Sequence, residues 1–375
     1  MRINYFSNSI IPSRSANSIH VMKMCQALAK KGHEVLLLAP DKQDLKTDKQ
    51  IKDTYSYYGV DNNFQIKMLP WLKIKGTRHI YGLLGAMLSR FNKADLVLGR
   101  FLPGCYYSAL LGIPTIYEAH QPVNESALKK MLNKLLANNK FLSLVAISNA
   151  LKEWFLEEFH VPANKIVIAP DAADDIYIEN DQVVNKQLQV GYVGQLYPGK
   201  GLELVFGLAE KCSWAEFHLV GGMPGDIEKW EESFENLQNV TLHGFVTPAE
   251  VGQYLAKFDI LLAPYQKKVT TYGNIKSDIA QWMSPLKVFE YMAAAKPIIC
   301  SDLPVLREVL EHERTALLLP PDNLGKWVGA LDMLNSNREY ANTLALNARR
   351  EFEEKYTWDA RAEKMADLFP KEVNK

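Results

Sequence analysis

Short runs rich in Val, Ile and Leu alternate with amphipathic segments along most of the chain, the pattern expected of right-handed βαβ units on parallel sheets. The runs fall into two series. The first predicts strands at Ile3 to Phe6, Glu34 to Ala39, Phe64 to Leu69, Asp95 to Gly99, Pro114 to Glu118, Leu142 to Ile147 and Lys165 to Ala169. The second predicts strands at Leu188 to Val193, Glu216 to Val220, Val240 to Leu242, Ile260 to Ala263, Pro297 to Cys300 and Ala316 to Leu319. Helical patterns lie between most of them. The first is signalled by Asn17 or Ser18 as cap, by a stripe of Ile19, Met22, Cys25, Leu28 and Ala29, and by Gly32 just past its end. Two final helices, near Arg338 to Lys355 and Asp359 to Phe369, close the chain without further strands.

Between the two series, Asp171 to Gln187 is polar and unpatterned and reads as a linker. The expected organisation is therefore α/β, with two doubly wound, Rossmann-like domains facing a cleft. Residues 1–170 form the first domain, 171–187 the linker, 188–357 the second domain, and 358–375 a helix returning to the first. Open parallel sheets bind ligands beyond the carboxyl ends of their strands, so chemistry is sought just after each strand.

Composition removes several classes. At 375 residues, with 47% apolar and 23% charged positions and a net charge of zero, the chain is neither disordered, fibrous nor globally basic. Its four cysteines lie at least 80 residues apart, which excludes a local zinc cluster or a small disulfide framework and suits a reducing cytoplasm. No secretory signal is expected at the N-terminus. The longest uncharged stretch, Phe101 to Tyr117, is broken by two Pro and two Gly, so no membrane span is expected.

Two segments carry candidate chemistry. Gly194-Gln195-Leu196-Tyr197-Pro198-Gly199-Lys200-Gly201 follows a strand and opens a helix, which combines free backbone N–H groups, a helix dipole and a cation into an anion site. It is not a nucleotide-hydrolysing P-loop, because Gly201 stands where a Ser or Thr must hold magnesium, and Gly191 and Gly194 have the wrong spacing for a dinucleotide fingerprint. The plainer alternative is a strand-to-helix turn with an exposed Lys200. In the second segment, Ser284 as N-cap and Pro285 in the first turn predict a helix that carries Lys287 and Glu290 three apart on one face. That pair reads either as a surface ion pair or as a diphosphate-and-ribose contact, and the long loop Tyr265 to Met283 before it favours a functional role.

These segments, together with Val220-Gly221-Gly222, Leu242 to Val246, Leu262 to Tyr265 and Thr315 to Asp322, resemble the C-terminal domain of retaining GT-B glycosyltransferases of family 4. The N-terminal half fits through Lys31 to Val35, Tyr117 to His120 and Ala146 to Ser148. The resemblance implies a nucleotide diphosphate sugar bound by the C-terminal domain and an acceptor presented by the N-terminal one. By match, Lys200 contacts the diphosphate, Glu290 the ribose, Phe245 and Val246 lie near the base, and His120 lies near the transferred sugar. Gly194, Gln195, Gly221, Ser284, Pro285, Leu286 and Lys287 complete the donor set, and Arg14, Asn17 and Arg100 are the acceptor-side candidates.

Two positions depart from the family. Gln195 stands where an Arg is common, with Lys287 as the candidate replacement, and Trp282 stands where a Glu is common, which assigns the sugar hydroxyls to backbone N–H groups around Met283 to Leu286. His120, just past a strand, is expected to hydrogen bond a sugar hydroxyl, because in retaining enzymes the leaving phosphate takes the acceptor proton. The chain has no Asp-x-Asp pair, so no metal and no other cofactor is expected.

Charge is uneven locally. Between Lys67 and Lys140 eleven basic residues face three acidic ones, a balance of +8, interleaved with apolar residues from Trp71 to Leu136. This suits anionic lipid headgroups or a phosphorylated acceptor, the alternative being a solvated helix face over core; no nucleic-acid motif accompanies it. The expected protein is a cytoplasmic sugar transferase of cell-surface polysaccharide, lipopolysaccharide or glycolipid assembly, peripheral at the inner membrane face. A sugar-nucleotide epimerase or a non-catalytic sugar-nucleotide-binding scaffold is the alternative.

Overall fold

The computed structural model describes residues 1–42, 51–176, 187–270 and 278–370. The chain forms two compact units, Met1–Pro170 with Trp358–Lys375, and Asp171–Thr357. The first contains β1 (Arg2–Phe6), α1 (Ala16–Lys30), β2 (Glu34–Asp41), α2 (Thr54–Tyr58), β3 (Gln65–Pro70), α3 (Thr77–Phe91), β4 (Leu96–Gly99), α4 (Leu102–Leu110), β5 (Thr115–Ala119), α5 (Ser126–Leu136), β6 (Phe141–Ala146), α6 (Asn149–Glu158) and β7 (Ile166–Ile168). The second contains β8 (Leu188–Val193), α7 (Leu202–Lys211), β9 (Ala215–Val220), α8 (Pro224–Phe234), β10 (Val240–Gly244), α9 (Val251–Leu255), β11 (Ile260–Ala263), α10 (Leu286–Ala293), β12 (Ile298–Ser301), β13 (Leu317–Leu319), α11 (Leu324–Ser336) and α12 (Arg338–Lys355). The last helix, α13 (Trp358–Ala366), belongs to the first unit and packs on α1, with the Trp358 ring 5.2 Å from that of His20.

Both sheets are parallel and doubly wound. Their orders are β3-β2-β1-β4-β5-β6-β7 and β10-β9-β8-β11-β12-β13. Burial explains the sequence pattern. The central strands β4, β5, β11 and β12 are covered on both faces and are buried at every position, hence their largely apolar character, broken in β5 by the buried Thr115 and Glu118, whereas edge strands β3 and β10 alternate with partly exposed residues. In each order the chain reverses direction across the sheet at one place, between β1 and β4 and between β8 and β11, the switch points outside whose strand ends open α/β sheets bind ligands.

Thirteen expected strands are present, but local caps differ. The α1 N-cap is Ser15, whose side chain accepts from the Ser18 amide, not Asn17 or Ser18. The helix is buried well beyond one stripe because α13 covers it too, while Ile19 and Ala29 are only half-buried. Pro285, not Ser284, caps α10; Ser284 Oγ instead accepts from the Asp171 amide at 2.8 Å, tying the start of the second unit to the start of that helix. The expected linker begins inside the second unit, where Ala173 bridges Thr357, and its residues 177–186 lie outside the described residues, as do 271–277 of the loop before α10.

Candidate functional site

In the second unit, β8 is followed by Gly194 with φ +148°, and α7 starts after Gly201 with φ +84°. Both need glycine. A Cβ at Gly201 would lie 1.7 Å from the Pro264 carbonyl oxygen, and one at Gly194 would lie 2.9 Å from Lys287 Nζ. The turn is thus pressed between the loop after β11 and the side chain of Lys287 from α10. The neighbouring strand ends stack in the same way: the Gly194 amide donates to Val220, and the Gly221 amide donates to the Gly244 carbonyl at 2.7 Å. Phe245 and Val246, which follow Gly244, are half-buried at this strand end, and Val246 packs against the core.

Two lysines share this place. Lys200 is 9% exposed and its Nζ lies 5.0 Å from the Tyr197 ring and 5.1 Å from the Tyr265 ring, so the exposed-turn alternative does not hold. Lys287 is 7% exposed and its Nζ sits 3.6 Å over the Tyr192 ring and 5.2 Å from Tyr265. No hydrogen-bond partner reaches that Nζ among the described residues, so the surface ion-pair reading of Lys287 with Glu290 fails. The tyrosines are pinned in turn: Tyr192 donates to the Gln195 carbonyl, and Tyr291 accepts from the Val193 amide at 2.8 Å. Burial lowers the Lys200 pKa to about 8. Burial, and then the charge of Lys200, lower that of Lys287 well below the ordinary value, with the Glu290 carboxylate acting the other way. Cation–π contacts worth about 0.5 to 2 kcal/mol each cannot offset taking two ammonium groups out of water beside one another. An anion of charge −2 or −3 would.

The other donor-side expectations resolve unevenly. Glu290 lies one turn along α10 from Lys287 and is half-buried. Leu286 is buried as the first residue of α10, and Pro285 has no amide to offer. The Met283 amide is committed to Ile279, so the backbone donors expected around Met283 to Leu286 narrow to Ser284 and Leu286. Trp282 is half-buried, its amide also turned to Ile279.

In the first unit, His120 follows β5 and is half-buried, with Nε2 2.6 Å from Glu118 Oε1. The same oxygen lies 2.8 Å from His20 Nε2 and accepts from Arg361 at 2.9 Å, while Oε2 accepts from Tyr5 at 2.9 Å. Burial by itself would raise the Glu118 carboxyl, but the Arg361 guanidinium and then His20 and His120 hold it well below the usual carboxylate range. One ionised carboxylate therefore orients His120 through its Nε2. Arg100 belongs to the same neighbourhood: its charge acts on Tyr5 and Tyr117, and its NH1 is buried without a hydrogen-bond partner among the described residues. Asn17 lies in the first turn of α1 with its Oδ1 likewise buried and unpartnered, and Arg14 lies in the turn before that helix, half-buried.

Tyr192, Tyr265, Glu118 and Arg361 join these sites without a local motif that marks them. Glu118 was legible, since two residues along a strand point to the same side as its neighbour His120. Arg361 was not, because 243 residues separate it from Glu118.

Comparison with known proteins agrees with this architecture. A family model described as Glycosyltransferase Family 4 matches residues 18–175, and one described as Glycosyl transferases group 1 matches residues 187–337. The chain is 21% identical over 252 residues to the uncharacterized glycosyltransferase MJ1607 of Methanocaldococcus jannaschii, covering 62% of this chain and 61% of that protein. It is 22% identical over 273 residues to the O-antigen chain mannosyltransferase C of Escherichia coli, covering 70% and 67%. Among solved structures, Anabaena HepE in complex with UDP and glucose superposes with a TM-score of 0.70 at 16% identity, covering 97% of this chain and 98% of that one. A glycosyltransferase from Rickettsia africae does so with a TM-score of 0.74 at 15% identity, covering 98% and 97%. Two parallel α/β units in this order, matched in each half by a glycosyltransferase model, mean that the chain belongs to the group 1 glycosyltransferases of GT-B fold.

Proposed function

We propose that this glycosyltransferase moves a sugar, with retention of configuration and without a metal ion, from a nucleotide diphosphate sugar to a glycan or lipid-linked acceptor of cell-surface polysaccharide assembly. The observation that carries the reading is the pair of buried lysines, Lys200 and Lys287, gathered over Tyr192 and Tyr265 at the strand ends of the second unit. A diphosphate is the anion that fits two adjacent cations and the amide-rich turn at Gly194 and the start of α7. Glu290 then meets the ribose diol, and Phe245 with Val246 flank the base. Charge developing on the leaving diphosphate is met by ammonium groups already in place, which is how a site without a metal lowers the barrier. His120, held by Glu118, hydrogen bonds a hydroxyl of the transferred sugar, and Arg14, Asn17 and Arg100 serve the acceptor. The complexes and activities named for HepE and the O-antigen mannosyltransferase support the substrate classes.

A thermal-shift panel of nucleoside diphosphates and their sugars tests the donor. A ligand at 100 times its Kd is expected to stabilise the protein by about 2.7 kcal/mol. Anomeric analysis of the product by NMR reads retention directly, and undiminished turnover in excess chelator reads metal independence. An altered free sugar nucleotide with no new glycosidic bond would replace this reading with epimerisation.

A further inference from the structure

The helix α3 is apolar on two opposite faces, and only one of them is covered. Tyr81, Gly82, Gly85, Ala86 and Ser89 are buried, and the Gly85 position abuts the Phe6 ring so closely that a Cβ there would lie 2.1 Å from it. On the far side, Leu83, Leu84, Met87 and Phe91 are exposed, Met87 by 55% and Phe91 by 83%. At 100° per residue these four fall within one quadrant or so of the helix surface. Leu72 and Ile74, in the segment leading into α3, are exposed as well, 42% and 54%. A run of large apolar side chains left in water on one element marks an interaction surface rather than scattered exposure.

Charge says what covers it. From Lys67 to Ala94 the sequence contains six basic residues and no Asp or Glu. All six are exposed: Lys67, Lys73, Lys75 and Arg78 precede or open α3, and Arg90 and Lys93 stand at its end; Arg78 is ion-paired with Glu125 at 3.1 Å, so the basic ends of the strip rest on the other five. An apolar strip between basic ends matches a surface with anionic headgroups over hydrocarbon, whereas a protein partner has no need of such one-signed charge. The rest of the basic region is different in kind. Met131, Leu132 and Leu135 of α5 are core, Lys129 is paired with Glu158, and Tyr81 is fully buried, so the expected membrane face contracts to α3 and its approach. No helix among the described residues is long and apolar enough to cross a membrane, so attachment through this face is interfacial.

We propose that the exposed face of α3, with Leu72 and Ile74, docks the first unit onto an anionic lipid surface. The face belongs to the first unit and uses none of the residues of the lysine site in the second, so the proposal goes beyond the donor reading and survives its failure. The test is co-flotation with vesicles of phosphatidylglycerol and phosphatidylcholine, against phosphatidylcholine alone, at low and high salt. Binding to the anionic vesicles is expected at low salt, falling as salt screens it. In Lys75→Glu/Arg90→Glu the partition coefficient should drop at least fivefold for each residue changed. In Met87→Glu/Phe91→Glu binding should be lost with thermal stability unchanged, and the emission of Phe91→Trp should shift to the blue on adding anionic vesicles. No binding of the unaltered protein at low salt would overturn the proposal. So would a concentration-dependent dimer that the Met87→Glu/Phe91→Glu change dissolves, which would give the face to a second copy of this chain.

Discussion

Replacing Glu118 by Gln is expected to cost about 3 to 5 kcal/mol of stability, the scale for breaking a buried ion pair from one side. The carboxylate is 1% exposed and satisfies Arg361, itself 3% exposed, as well as His20, His120 and Tyr5. Removing its charge leaves the guanidinium buried beside a neutral amide, with its remaining bonds to Pro170 and Ala169 unable to compensate. Denaturant unfolding of Glu118→Gln, Arg361→Met and the pair together measures this. The double change to Glu118→Leu/Arg361→Met should recover much of the loss, because no lone charge stays buried. Additive losses would show that the pair does not act as a unit. The sign with pH follows from the depressed carboxyl: its stabilisation is full above the ordinary carboxylate pKa and is lost as pH falls through the lower folded value. Unfolding in acid should therefore be less steep in Glu118→Gln than in the unaltered protein.

That network also shows where reading a sequence stops. Strand positions were legible because burial on both faces of a parallel sheet writes continuous apolar runs, and β8 and β11 lie where Leu188 to Val193 and Ile260 to Ala263 predict them. Caps were less so. Ser15, Asn17 and Ser18 all have capping side chains, and which one faces the helix start depends on Ser13 and Ser18 bonding one another through the turn. Ser284 has the right chemistry and neighbour for an N-cap, yet a long-range bond to Asp171 claims its hydroxyl. Lys287 three residues before Glu290 is written like any surface pair; only the approach of β8 and the loop after β11 over that face of α10 turns it into a buried amine. In both units the motif residue was visible, and the group that sets its charge was supplied by a distant segment.

The donor side gives the other large effect. Lys200→Met/Lys287→Met should weaken binding of a nucleoside diphosphate by about 3 to 6 kcal/mol, since each charged hydrogen bond to phosphate is worth roughly 1.5 to 3 kcal/mol, while protein stability rises or holds because two buried amines are removed. Lys287→Met alone should cost about half of that; a loss near the 0.3 to 0.5 kcal/mol of an ordinary surface pair would take Lys287 out of the site. The pH dependence has a definite sign. In the free protein Lys200, lowered to about 8 by burial, sheds its proton over the range in which an unfolded lysine keeps it, so the lysine contribution to stability rises with pH from about 8 to the ordinary lysine value. A bound diphosphate favours the charged amine, so binding takes up protons and affinity falls as pH rises from 7 to 9.5. Calorimetry of the tightest-binding nucleoside diphosphate at pH 8, in buffers of different ionisation enthalpy, should show net uptake that disappears in Lys200→Met/Lys287→Met. Uptake unchanged by that double substitution would assign the proton to another group. Binding that is independent of pH across this range would mean that the phosphates do not sit against these amines.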